Sequence, residues 1–169
     1  MSYDHDFTYL SYQFLIVSST IIKLFIFIAM IKGKCMIKQI GNTDILLKHK
    51  ATCHCGTVEL ELSLPNGIEK PRRCDCSFCR RRGAMAASVK LDGIRIVKGQ
   101  EALRLYQFNT RTAKHYFCSV CGIYTHHQRR SDTSEYGFNI GCLEGVNPFD
   151  LGDVVTSDGV NHPSDRLNG

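Results

Sequence analysis

The residues best suited to chemistry lie in three short clusters: Cys53-His54-Cys55-Gly56, Cys74-Asp75-Cys76-Ser77-Phe78-Cys79, and Cys118-Ser119-Val120-Cys121-Gly122. Together they take up most of the nine cysteines in the chain, far more thiols than ordinary composition would supply. A disulfide framework prefers an even count and a cleavable signal, whereas C-x-C and C-x-x-C pairs suit a metal in a reducing compartment, with zinc the leading candidate. A closed structural zinc site needs a tetrahedron of ligands, which two separate pairs can clamp from opposite sides. Cys53, Cys55, Cys118 and Cys121 fit that role. Gly56 and Gly122 directly follow the two pairs, where a tight turn lets backbone amides point at the thiolates. The middle cluster is different: Cys74, Cys76 and Cys79 can be delivered by one loop as a tripod that leaves the fourth position open, the mark of a catalytic zinc. The expectation is two zinc ions per chain, one structural and one catalytic.

Other readings of these residues stay open. His54, His115, His126 or His127 would make the middle site purely structural by supplying a fourth ligand. Each C-x-x-C could instead form a redox disulfide at a helix start, although no βαβ pattern surrounds either. Arg80, Arg81 and Arg82 follow the tripod and could offset its negative charge or pair with substrate carboxylates; the alternative is a solvated basic face. Tyr124, His126 and Asn139 are polar residues on strands near enough to serve such a site, or else ordinary hydrogen-bonded or surface residues. Cys35 reads as an incidental thiol and Cys142 as a small buried residue.

The elements that must hold these clusters read as short strands. Residues 57–63 alternate, with Val58, Leu60 and Leu62 facing one way and Glu59 and Glu61 the other, before Pro65, Asn66 and Gly67 reverse the chain. Further strands are expected over 84–90, 94–97, 104–108, 114–117, 123–127 and 136–140. No long amphipathic helix is expected. The fold class is all-β or nearly so, with two packed, mainly antiparallel sheets and the cysteines at strand ends and hairpin turns.

The net charge of +5 is modest and dispersed, without the basic stripe interleaved with aromatics that a nucleic-acid binder needs, so nucleic acid is not an expected partner. An apolar run over 14–31, FLIVSSTIIKLFIFIAMI, approaches bilayer thickness but is interrupted by Lys23. Lys32, Lys34 and Lys38 follow it, so as a membrane anchor it would leave the following domain facing the cytoplasm. The alternative is a non-native start, with Met36 opening a self-sufficient domain. The expected organisation is thus an extension over 1–35 and a zinc domain over 36–169, cytoplasmic in either case.

Taken in order, C-H-C-G-x-V, C-D-C-S-x-C-R-R-x-G, Y-F-C-x-x-C-G-I-Y-T, N-I-G-C-L-E-G and D-G-V-N-H-P resemble the glutathione-dependent formaldehyde-activating enzyme family, which also contains centromere protein V. The resemblance spans roughly residues 48–168. It implies an Mss4-like fold of antiparallel sheets with few short helices, a structural zinc on the outer pairs and a catalytic zinc on the middle triplet. It further implies a carbon–sulfur lyase, similar to S-(hydroxymethyl)glutathione synthase, whose small-molecule partners are glutathione or another thiol and formaldehyde or a related aldehyde. Two routes stay open: a thiolate attacking the carbonyl, or zinc polarising the aldehyde oxygen. The alternative from a different class is a zinc-stabilised binding module without catalysis. The missing basic or proline-rich tail speaks against a polymer binder. Members similar to this chain begin shortly before the first C-x-C, so the extension is the departure.

Overall fold

A computed structural model describes residues 36–163; the apolar run 14–31 and Cys35 lie outside the described residues. Three two-residue strands come first, β1 (Met36–Ile37), β2 (Gln39–Ile40) and β3 (Thr43–Asp44). They are followed by β4 (Lys48–Thr52), β5 (Glu59–Ser63) and β6 (Ile68–Cys74). A single helical turn, α1 (Cys79–Arg82), separates β6 from β7 (Ala86–Lys90). Beyond it run β8 (Ile94–Lys98), β9 (Leu103–Tyr106), β10 (Lys114–Cys118), β11 (Tyr124–Gln128), β12 (Glu135–Asn139) and β13 (Val155–Ser157).

The larger sheet runs β1-β6-β7-β12-β11-β10-β9, and β13 lies parallel against β6. A smaller sheet, β4-β5-β8, is antiparallel throughout, and β2 pairs with β3. The alternation in β5 does what it must: Leu60 and Leu62 are fully buried, while Glu61 pairs outward with Lys48 and Arg95 and Glu59 with Lys50. Leu60 and Leu62 share one core with Ala87 and Phe138 of the larger sheet and with Ile68 and Ile140. Burying each large aliphatic or aromatic side chain stabilises the fold by ~1.5–3 kcal/mol. The all-β expectation holds, and α1 is the only α-helix among the described residues.

Two strands that the periodicity does not reveal, β4 and β6, lead into the first two cysteine clusters. Cys53 follows β4 directly, and Cys74 ends β6. β6 is interrupted: Glu69 pairs with Ser88 and Arg72 with Ala86, so one extra residue bulges out around Lys70 and Pro71. Lys70 takes a left-handed φ of 51°. That conformation costs a side-chain-bearing residue on the order of 1–2 kcal/mol. Pro71, which has no N–H to donate, is tolerated in a strand at such a bulge. The consequence is a turn of the strand that aims Arg72 at the Ser88 hydroxyl, 2.8 Å away.

Candidate metal centres and the cavity at the triad

Cys53, Cys55, Cys118 and Cys121 come together with their sulfurs within 4.8 Å of one another, in an arrangement that could hold a metal ion. Two matching turns build it. After β4 the chain reverses at Gly56 (φ 71°), whose N–H donates to the Cys53 carbonyl, and the Val58 amide donates to Cys53 Sγ at 3.2 Å. After β10 it reverses at Gly122 (φ 74°), whose N–H donates to the Cys118 carbonyl, and the Val120 amide points at Cys118 Sγ at 3.4 Å. A Cβ at either glycine would meet nothing within 4 Å, so these positions need glycine for its backbone freedom rather than for space. Cys53 and Cys118 belong to the hydrophobic core, and Cys55 is exposed. Burial pushes the Cys53 thiol up to about 11, whereas hydrogen bonding at Thr57 holds Cys55 down at about 6.

Cys74, Cys76 and Cys79 form a second group that meets the same 4.8 Å limit. The Cys79 amide donates to Cys76 Sγ at 3.3 Å as α1 begins. Arg82, one turn on, donates from Nη2 to Cys79 Sγ at 3.3 Å. Hydrogen bonding from Cys79 holds the Cys74 thiol down at about 5, and the same contact, with burial, pushes Cys79 up. Crowded sulfurs cannot all ionise unless a cation lies between them, so the donor set fits a bound metal. Phe78 fastens this loop to the sheet, its ring centroid 4.6 Å from His115, 5.1 Å from Tyr106 and 5.4 Å from Phe108. From the other side, the segment after β13 closes over the sulfurs. The Asp75 carboxylate accepts from the amides of Gly159 and Val160, at 2.6 and 3.2 Å. A Cβ on Gly159 would lie 2.5 Å from Cys74 Sγ, so glycine is required here for close approach.

The triad opens on a cavity of about 320 Å³ whose wall includes Arg72, Arg82, Arg129, His115 and His127. Arg73 and Arg130 also line it, against one carboxylate, Asp158. The Arg82 guanidinium lies 3.5 Å from the Tyr124 ring centroid, and its Nη1 is 3.4 Å from His115 Nδ1. Arginine only donates, so His115 Nδ1 is the acceptor and the imidazole is neutral. Burial and then Arg82 hold His115 down at about 4, and burial with His115 holds His127 well below its usual value. His127 stacks on His115, its cross-strand partner, and contacts the Tyr124 hydroxyl. Its ring fills the place where a Cβ on Gly137 would lie 2.2 Å from Cε1. Beyond Arg82 and His115, which line both spaces, is a second cavity of about 670 Å³ walled by Phe78, Met85, Phe117 and Phe149.

The model of the family described as glutathione-dependent formaldehyde-activating enzyme matches residues 48–151. The chain belongs to that family. Its sequence is also 65% identical to a Rhodobacter sphaeroides protein of known crystal structure, at a TM-score of 0.62, across 64% of this chain and 99% of that one. The span matched by the glutathione-dependent formaldehyde-activating enzyme model contains both cysteine groups, but it stops before β13 and the Gly159 loop.

Within this family framework the sequence-derived candidates separate. All seven clustered cysteines assemble as two groups, and all are free thiols. None of the four histidines joins the triad's group, although His115 and His127 reach the same cavity. His126 faces the opposite side of the hairpin, stacked on Tyr116, and lines neither cavity. Tyr124 and Asn139 line the second cavity; Asn139 also donates to the Tyr124 carbonyl at 2.9 Å and caps the turn at Gly141. Of the arginine triplet, Arg82 alone contacts a triad sulfur, while Arg80 and Arg81 are exposed. Cys142 is buried against the Tyr124 carbonyl, and burial raises its thiol to about 12. Arg72, Arg129, His115 and Gly159 are the site residues that sequence reasoning did not single out in these roles. Only the alternation of β10 and β11, which turns His115 and His127 to one face and Tyr116 and His126 to the other, hinted at any of them. Among the described residues no helix is long and apolar enough to cross a membrane.

Proposed function

We propose that this protein is a zinc-dependent carbon–sulfur lyase-type enzyme that forms and breaks the bond between the glutathione sulfur and the formaldehyde carbon. The observation that carries this reading is a three-cysteine group facing an arginine-rich cavity of small-molecule size. Soft, all-cysteine donor sets favour zinc: Cys53, Cys55, Cys118 and Cys121 would hold a structural ion, and Cys74, Cys76 and Cys79 a catalytic one. When bound, zinc there stabilises sulfur as thiolate and draws electron density from a carbonyl oxygen.

The chain's own residues account for the remainder. Arginines on the cavity wall bind the carboxylates of the thiol and orient it, and Phe108 with the Gly159 loop limits water. Arg82 offsets the negative charge of the tripod through Cys79 while His115 holds its guanidinium in place. In the direction of synthesis a carbon–sulfur bond forms, the carbonyl π bond is lost, and the proton of the thiol ends on the former aldehyde oxygen. His115, whose Nδ1 accepts from Arg82, is neutral and has only its Nε2–H left to donate, so that proton is exchanged through water rather than held on the imidazole. The reverse direction returns it to sulfur. Free thiolates of this kind suit a reducing compartment such as the cytoplasm. The dimensions of the cavity also support an enzyme over a zinc-stabilised binding module, whose polymer partner would need an extended surface.

Exchange NMR with carbon-13 formaldehyde and glutathione tests the proposal. Zinc-loaded protein should speed exchange between free aldehyde and adduct above the buffer rate, and Cys76→Ser should return it to that rate. Equal exchange with and without the parent protein would overturn the assignment.

A further inference from the structure

Arg72 and Arg129 are held side by side on the cavity wall by a network that touches no cysteine. Arg72 Nη2 and Arg129 Nη1 each donate to the buried Ser88 hydroxyl oxygen at 2.8 Å. Arg129 Nη1 also donates to Glu135 Oε2 at 2.6 Å. Glu135 is itself buried, and its other oxygen takes Lys70 at 3.2 Å and Lys90 at 3.9 Å. One carboxylate is therefore shared among Arg129 and two lysines, and among the described residues no carboxylate pairs with Arg72. The two guanidiniums repel each other across one neutral hydroxyl, Glu135 offsets only part of that charge, and the pair is suited to receive an anion.

The backbone supports the same conclusion independently. The bulge in β6 puts Lys70 in a left-handed conformation, and the effect is to direct Arg72 to Ser88 and the Lys70 ammonium to Glu135. An unfavourable backbone maintained beside a cavity and spent on aiming two cations is a mark of a functional constraint.

We propose that Arg72 and Arg129 form a receptor for a carboxylate of the thiol, so that the enzyme selects anionic thiols over neutral ones, and that Ser88 and Glu135 are positioning residues for this pair. The proposal rests on the thiol-dependent reading given above, but the measurements that decide it read binding and do not need turnover. Calorimetric titration of the zinc-loaded full chain would use S-methylglutathione, which keeps both carboxylates and cannot react, and the diethyl ester of the same compound. The ester should bind the parent at least tenfold more weakly. Arg72→Gln and Arg129→Gln should each weaken S-methylglutathione tenfold or more while leaving the ester within twofold. Glu135→Gln should act in the same direction with a smaller effect and should raise the KM for glutathione more than it lowers kcat. If Glu135→Gln fails to fold, the arginine variants and the parent's discrimination between acid and ester decide the matter. Equal binding of acid and ester by the parent, or equal weakening of both by the arginine variants, would overturn the receptor. Tight, arginine-dependent binding without accelerated adduct exchange would leave the receptor standing and remove the lyase assignment instead.

Discussion

The quartet and the triad are built from the same side chain by opposite means. The quartet joins the smaller sheet, through Cys53 and Cys55 after β4, to the β10-β11 hairpin of the larger one, and two of its sulfurs are part of the core. Backbone amides donate to its two buried sulfurs, Cys53 and Cys118, and only the exposed Cys55 adds a side-chain contact, to the Thr57 hydroxyl. The triad lies at one end of β6 within the larger sheet, is half-exposed, and depends on side chains: Arg82 on Cys79, Phe78 on the aromatic cluster, and Asp75 on the Gly159 loop. A metal held by a group set into the core would act as a cross-link, and its loss is expected to cost the fold. A group supported by side chains over a cavity can be altered without unfolding the sheets, which is what a site that exchanges ligands requires.

The most severe way to break this contrast is to remove one ligand from each group. Cys118→Ser should destabilise the domain by several kcal/mol and release metal from the quartet, because a distant cross-link is lost along with a core residue. Cys76→Ser should leave the melting transition close to that of the parent while halving the metal content. Thermal melts paired with metal analysis check both, and equal destabilisation by the two variants would refute the division. A subtler change is Gly159→Ala, whose methyl group would strike Cys74 Sγ and Cys76 Cβ. It should weaken metal binding at the triad by roughly 10–100-fold, the range seen when a supporting contact of a metal ligand is removed, and leave the quartet loaded. Competition with a chromogenic chelator would resolve the two populations.

Acidity sharpens the comparison on a smaller scale. Burial holds His126 at about 4 in the fold against 6.5 ordinarily, so the folded chain binds fewer protons than the unfolded one between those values. The stabilisation is complete above about 6.5 and is lost as pH falls toward 4. His126→Phe removes this contribution from a place that lines neither cavity, and the denaturant midpoint of the variant should fall less steeply over that window than the parent's. The smallest expected effect is at Gly56. Alanine there meets no neighbour, so only the positive φ is penalised, by ~1 kcal/mol, and Gly56→Asn should recover part of it.

Much of this plan is written in short-range sequence. The cysteine spacings and the glycine after each outer pair were enough to separate the two groups, because a metal turn is a local object. The seven expected strands correspond to β5 and β7–β12 with ends shifted by a residue or two. β6 was illegible because Pro71 and a run of charged residues contradict strand chemistry, and the bulge that accommodates them becomes visible only once β7 lies alongside. β4 was missed because its buried residues, His49 and Ala51, are not the branched or aromatic types that signal a strand. The cavity was hidden for a different reason. Arg72, Ser88 and Glu135 come from three different strands and Arg129 from just beyond a fourth, and nothing in their spacing states that two guanidiniums will share one hydroxyl.

The Gly159 loop also has a consequence for how the protein is made. Synthesis proceeds from the N-terminus, so the last quartet sulfur, Cys121, leaves the ribosome well before residues 155–160 that cover the triad. During that interval the nascent chain can assemble its cross-link, while Cys74, Cys76 and Cys79 remain uncovered and open to exchange with cellular thiols and chelators. The quartet can therefore assemble before the triad is covered, an order set by how late in the chain the segment that Asp75 captures is made.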